Sequence, residues 1–365
     1  MASHIEAAFP RCDGRRTCWA GPPRRRQAEV EESTTSTGHR SIEHAGAWAL
    51  AHVRHRGRSF PALVQHNRVL DLSTRDEVGR PASPSALLQD WDAMLPKLER
   101  LAETIGDWID LAGLQVLSPV EPRQIFQAGA NYRTHVLDLV VAHHDGADGR
   151  TPEQVRADAA AHMDERLALP PFVFQGLPTA ICGPFDDVIL PYGAEQPDFE
   201  LELAAVIGRT ARRVPVDQAL DYVAGWTIVN DITLREKVFR KDSPGLGADW
   251  LASKNHPTFL PVGPVLVPRD ALPDPGDLRV TLRLNGQVMQ DASTSELIFD
   301  VARLVAHCSE VATLLPGDLL LTGSPAGNGL AHGRLLRAGD RMDSTISGLG
   351  AQSNLCIPEA SEGTA

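Results

Sequence analysis

The sequence predicts a mainly β, α+β fold: a closed or folded sheet with a small N-terminal α+β domain before it and a helical insertion within it. Three observations carry this. Short apolar runs of strand character recur between turns, and the 30 glycines and 27 prolines fall largely in those turns. The stretch LRVTLRLNGQVMQD alternates around Asn285-Gly286, a pair suited to the positive φ that both central residues of a type I′ hairpin turn require. Strands at this spacing suit a closed or folded sheet better than an alternating βαβ array.

Residues 1–45 carry GPPRRRQAEVEESTTSTGHR and no apolar period, so they read as a disordered leader or a misplaced start. The Arg24–Arg26 run has no apolar segment after it, which argues against an export signal. Residues 46–118 make the small N-terminal domain. AWALAHV and FPALVQ read as strands, VLDLS adds a hairpin, and PSALLQDWDAMLPKLERLAE reads as one helical stretch. SPVEPRQIFQAG then looks like a linker into a second domain over 119–358, with 359–365 as a tail.

In that second domain FELELAAVIG and VAGWTIVND read as strands. VDQALDYV and SELIFDVARLVAHCSE read as helices, the latter with Ser295 as N-cap. Residues 139–169 are acidic and helical, an excursion that suits a lid or a dimer contact.

Composition narrows the function. The 365 residues hold 35 Lys+Arg against 47 Asp+Glu, a net charge of −12 that repels phosphate and argues against a nucleic-acid partner. No run approaches the roughly 18 apolar residues of a membrane span. The five cysteines are scattered without a CxxC pair, which indicates neither a zinc site nor a disulfide framework. A reduced, cytoplasmic setting follows as the simpler expectation.

Four constellations could carry chemistry. In a strand, Glu200 and Glu202 of FELEL point to one face, and Asp231 ends another strand. If those strands are neighbours, three carboxylates converge, and all-oxygen ligation suits Mg²⁺, Mn²⁺ or Ca²⁺. The same spacing also fits two solvated acids on an outer face plus a turn aspartate. In NYRTH and the residues after it, His135 and Asp138 are i and i+3 on a helical turn, the spacing of a base and its orienting carboxylate. With 13 histidines in the chain such a spacing also arises by chance. Lys254, a rare lysine in SKNHPTFLPVGP, could stabilise a developing oxyanion or enolate if buried, or simply be solvated. TGSPAGNG, from Thr322 to Gly329, could bring backbone N–H groups to an anion, and is otherwise an ordinary turn.

The order of these motifs adds what none gives alone. NYxxH, ELELAAVIG, GWTIVNDITLRE, SKNHPTFLPVGP, NGQVMQ, LLPGDLLLTGSPAGNG and ISGLG together resemble the fumarylacetoacetate hydrolase family, nearest its bacterial and acylpyruvase-like branch. The resemblance implies a mixed β-sandwich roll over 119–358, usually a homodimer, acting on 1,3-diketones or acylpyruvate-type 2-oxo acids by C–C hydrolysis. Decarboxylation or double-bond and keto–enol isomerisation are the alternatives on the same site, and a metal-binding member without catalysis is a third. The resemblance also implies roles: Glu200, Glu202 and Asp231 as ligands of a divalent cation, Mg²⁺ or Mn²⁺ with Ca²⁺ as a further candidate. His135 would be the water-activating base with Asp138 beside it, and Lys254 the active-site lysine. Tyr132, Arg235, Thr322, Gly323 and Ser324 would contact the substrate.

Some positions depart from the pattern. Ala128 stands where the animal branch has an aspartate ligand, Val238 where it has a substrate-contacting glutamine, and PFVFQG lacks the lysine of a PxxFxK string. Val238 and the long insertion together imply a bulkier, less dianionic substrate than fumarylacetoacetate.

Overall fold

The apolar alternation after residue 47 closes at once into a sheet. Strands β1 (Ala49–His55), β2 (Arg58–Gln65) and β3 (Arg68–Asp71) form an antiparallel meander. Two helices follow, α1 (Pro84–Leu88) and α2 (Trp91–Ala102). The single helical stretch expected here is broken at Gln89–Asp90. Asp90 takes the N-cap position of α2, and aspartate favours helix ends over interiors. Strands β4 (Ile109–Asp110) and β5 (Gln115–Leu117) complete a sheet of order β4-β3-β2-β1-β5.

The structure is a computed structural model and describes residues 42–360, except 105, 143, 145, 147, 164–167, 241, 243, 244, 246 and 273. The expected leader up to residue 41 and the tail from 361 lie outside the described residues, as does part of the insertion.

The segment expected as a linker contains a strand, β6 (Ile125–Ala128), buried throughout and paired in parallel with a later strand. A short run buried on both faces has no alternation to betray it. Helix α3 (Arg133–Ala142) comes next, so the helical insertion begins before residue 139 and carries His135 and Asp138 itself. Helix α4 (Pro152–Ala161) opens with a capping box between Thr151 and Gln154. There follow β7 (Val173–Gly176), β8 (Ile181–Cys182), β9 (Val188–Leu190), β10 (Pro197–Asp198) and β11 (Leu201–Ile207).

VDQALDYV winds as a 3₁₀ helix, Val216–Tyr222, and leads into β12 (Val223–Asn230). Next are β13 (Thr233–Leu234), α5 (Arg235–Val238), α6 (Trp250–Lys254), β14 (Leu260–Pro261) and β15 (Val267–Pro268). Strands β16 (Arg279–Leu284) and β17 (Gln287–Ser293) form the expected hairpin, with φ of 52° at Asn285 and 83° at Gly286. Helix α7 (Val301–Val311) is capped by Asp300, whose side chain accepts the Arg303 N–H. Ser295 instead lies in a separate 3₁₀ turn, Thr294–Glu296, because the polar residue nearest the helix wins the cap. Strands β18 (Leu319–Leu321), β19 (Arg341–Ile346) and β20 (Gly350–Pro358) end the fold.

The later strands build a six-stranded mixed sheet, β15-β12-β11-β18-β6-β7, and a five-stranded one, β17-β16-β19-β20-β9. Ala49, Val53 and Phe60 of the first sheet share one apolar core with Leu203, Trp226, Val280 and Ile346 of the other two. The result is the mainly β, α+β architecture that the strand spacing predicts. Among the described residues, no helix is long and apolar enough to cross a membrane.

Candidate metal-binding active site

Strands β11 and β12 are antiparallel neighbours with Leu201 opposite Asn230. That register sets Glu200 and Glu202 beside Asp231 at one end of the six-stranded sheet. All three are buried, and one carboxylate oxygen from each lies within 4.8 Å of the others. Like charges this close repel strongly at low dielectric and demand counter-charge.

Part of that counter-charge comes from the chain. Lys254, at the end of α6, is 4% exposed and sets its Nζ 2.7 Å from Glu200 Oε2 and 2.5 Å from Asp231 Oδ2; it also donates to the Thr233 hydroxyl at 2.8 Å. Arg235 donates from Nε to Asp198 at 2.8 Å and from Nη2 to Glu200 at 2.6 Å. Asp198 accepts further from the Gly329 and Leu330 N–H groups, tying the TGSPAGNG loop to the carboxylates.

The titration directions follow from this geometry. Burial raises the Glu200 carboxyl, but Arg235 and Lys254 together hold it below the usual carboxylate range. Burial and the Asp231 charge push Glu202 well above that range. Burial lifts Asp231 to about 6 against the pull of Lys254. Four buried carboxylates, Asp198 included, thus face two cations, Arg235 and Lys254. With all four carboxylates ionised two negative charges would be left for a bound ion, and the donors are hard oxygens, so the cluster fits a divalent cation of the Mg²⁺, Mn²⁺ or Ca²⁺ type.

His135 stands against this cluster from α3, 5% exposed, with Nε2 3.9 Å from Glu200 Oε1. Burial drives its pKa down to about 4, with Glu200 pulling the other way, so the imidazole is neutral at neutral pH. Asp138 lies close enough for its charge to be felt at His135. Its carboxylate, however, accepts from Arg156 Nη1 of α4 at 2.5 Å. Among the described residues the i, i+3 pair is not hydrogen-bonded, and the hydrogen bond of Asp138 runs between α3 and α4 instead.

The remaining expected residues gather at the same end of the sheet. Tyr132 is fully buried, and its hydroxyl has no hydrogen-bond partner among the described residues; burial and the nearby Glu202 charge raise its pKa. The Gly323 N–H donates to Glu202 Oε2 at 2.7 Å, with φ at 94°, where a Cβ would stand 2.9 Å from the Asn131 Cβ. Only glycine meets both demands at this point. Thr322 donates its hydroxyl to the Leu203 carbonyl, and Ser324 accepts from Gln290. Arg235 serves Asp198 and Glu200 rather than an open face. Val238 is buried, and its carbonyl accepts the Asp249 N–H.

Sequence reasoning missed Gln127, Asp198 and Thr233. Gln127 donates from Nε2 to Asp231 Oδ1 at 2.7 Å. An amide inside the apolar run IFQA was its visible signal. An aromatic wall was missed as well. Phe174 stacks on Trp250 with centroids 4.4 Å apart, and Lys254 Nζ lies 5.7 Å from the Phe174 ring centre.

Comparison with known proteins bears on this geometry. The family model for the fumarylacetoacetate (FAA) hydrolase C-terminal domain matches residues 124–356. The mitochondrial oxaloacetate tautomerase Fahd2a of Rattus norvegicus is 35% identical over 295 residues, spanning 79% of this chain and 84% of that protein. The 2-hydroxyhepta-2,4-diene-1,7-dioate isomerase of Mycobacterium marinum superposes with TM-score 0.61 at 29% identity, covering 87% of this chain and all of that one. Maleylpyruvate hydrolase of Sphingobium sp. SYK-6, solved with manganese(II) ion and pyruvate, superposes with TM-score 0.65 at 26% identity, covering 86% of this chain and 100% of the other.

Proposed function

The chain belongs to the fumarylacetoacetate hydrolase family of enzymes, and from that premise we propose that it is a divalent-metal-dependent tautomerase, moving a proton between carbon and oxygen of a small 2-oxo acid such as oxaloacetate, a smaller dianion in place of the bulkier, less dianionic substrate that Val238 and the insertion suggest. One observation carries the choice. Arg156 engages Asp138, and among the described residues no carboxylate is hydrogen-bonded to the neutral His135 to help it activate water, Glu200 standing 3.9 Å away. Similarity to the rat oxaloacetate tautomerase supports the same reading.

Glu200, Glu202 and Asp231 would hold the cation, Mg²⁺ or Mn²⁺ before Ca²⁺, which when bound supplies Lewis-acid stabilisation of enolate charge. His135 accepts the proton from the substrate carbon at Nε2 and returns it to oxygen. Lys254 adds a second positive charge beside the developing enolate, and the burial of His135 limits water at the base. Substrate contacts are assigned to Tyr132, Thr322, Gly323 and Ser324, with Arg235 holding Glu200 in place. A homodimer in a cytoplasmic setting completes the proposal, on the family resemblance and the cysteine pattern.

C–C hydrolysis of an acylpyruvate is the second reading. It draws on the same neutral His135 and on the similarity to maleylpyruvate hydrolase. An Asp138→Asn variant separates the two. Decay of the oxaloacetate enol, followed by its ultraviolet absorbance, should stay within about threefold of wild type, since a carboxylate that acts on the imidazole only through its charge lends little of the ~10²–10⁴ of acid–base catalysis. Pyruvate release from an acylpyruvate that falls by two orders of magnitude or so in that variant would favour the hydrolase.

A further inference from the structure

Both oxygens of Asp231 are held. Oδ2 takes the Lys254 ammonium at 2.5 Å, and Oδ1 takes the Gln127 amide N–H at 2.7 Å. Gln127 comes from β6, separated from β12 by β18 and β11 in the sheet, and is 2% exposed. Its other amide atom, Oε1, is buried without a hydrogen-bond partner among the described residues. A buried acceptor in that state is unfavourable, so the bond to Asp231 is what orients this side chain.

Oε1 faces the neighbouring strand β7 at Gly176. A Cβ built there would stand 2.6 Å from Oε1 and 3.0 Å from the amide carbon. Gly176 is outside the positive-φ region, so its backbone accepts any residue and the restriction is one of space alone. Any side chain at 176 must push the Gln127 amide away, and the amide is the movable partner.

We propose that Gln127 is a positioning residue for the cation site, fixing the plane of the Asp231 carboxylate, and that Gly176 is the residue whose small size lets it do so. The proposal rests on reading Glu200, Glu202 and Asp231 as a divalent-cation site. It deepens that reading by naming two residues outside the cluster that set its affinity. Residues that hydrogen-bond a metal ligand orient it before the ion arrives, and their loss weakens binding.

The test uses the full chain stripped with chelator and titrated with Mn²⁺ alone by calorimetry, beside urea unfolding of the metal-free protein. Gln127→Leu keeps the side-chain volume and removes the donor; Gly176→Ala displaces the amide and changes no charge. Each should weaken Mn²⁺ binding ~10–100-fold. The double variant should bind no more weakly than Gln127→Leu, because Gly176 acts through the amide. Wild-type affinity in both single variants, or a lower unfolding midpoint with unchanged affinity, would overturn the role of Gln127. Additive losses in the double variant would overturn the part given to Gly176. A wild-type chain that takes up no Mn²⁺ would overturn the cation site and this proposal together.

Discussion

His135→Ala should lower turnover of the oxaloacetate enol by ~10²–10⁴ while leaving divalent-metal affinity within a few-fold of wild type. The expectation follows from where the imidazole sits. It is buried on α3, 3.9 Å from a Glu200 oxygen, and kept neutral by that burial. A neutral imidazole can take a proton; a charged one cannot. The steady-state rate and a Mn²⁺ titration on the same preparation check both halves. A variant that loses metal and activity together would place His135 in the cation site instead of beside it.

Lys254→Met should be costly in a different way. The ammonium bridges Glu200 and Asp231 and also donates to Thr233, and the Asp231 and Glu200 charges keep its pKa raised even though burial works against it. Removing one partner of a buried pair leaves an uncompensated charge and costs about 3–5 kcal/mol. Metal-free Lys254→Met should therefore have an unfolding free energy, measured in urea, lower than that of wild type by that amount. Saturating Mn²⁺ should restore part of the loss, since a ligand that binds only the native state stabilises it. Turnover should stay low even when metal is restored, because the second positive charge near the enolate is gone. Equal stability of the variant and wild type without metal would contradict the charge balance described for this cluster.

Much of this site is legible in the amino-acid sequence itself. The period of two in FELEL puts Glu200 and Glu202 on one face, and β11 and β12 do pair with Asp231 at the junction. The Asn285-Gly286 hairpin is legible because both of its turn residues need an unusual backbone. The parts that escape depend on contacts between distant segments. Asp138 pairs with Arg156 because α3 and α4 pack together, and no spacing within α3 reveals a competitor on another helix. Gln127 is hidden in a segment that reads as a linker, since a four-residue strand buried on both faces carries no alternation. Ser295 and Asp300 are both able caps, and only the path of the chain decides between them. Asp198 reads as one more acid beside FELEL until the fold brings Arg235 and the Gly329 N–H to it.

If the buried carboxylates hold a divalent cation that this chain uses to tautomerise a 2-oxo acid, activity must depend on that ion. The experiment follows the decay of oxaloacetate enol absorbance with chelator-stripped protein, before and after addition of Mg²⁺ or Mn²⁺, corrected for the metal acting alone. The stripped protein should run at the no-enzyme background, and returning metal should give saturable, protein-dependent acceleration. Equal acceleration with and without metal, or none in either state while an acylpyruvate is cleaved, would rule out a metal-dependent tautomerase.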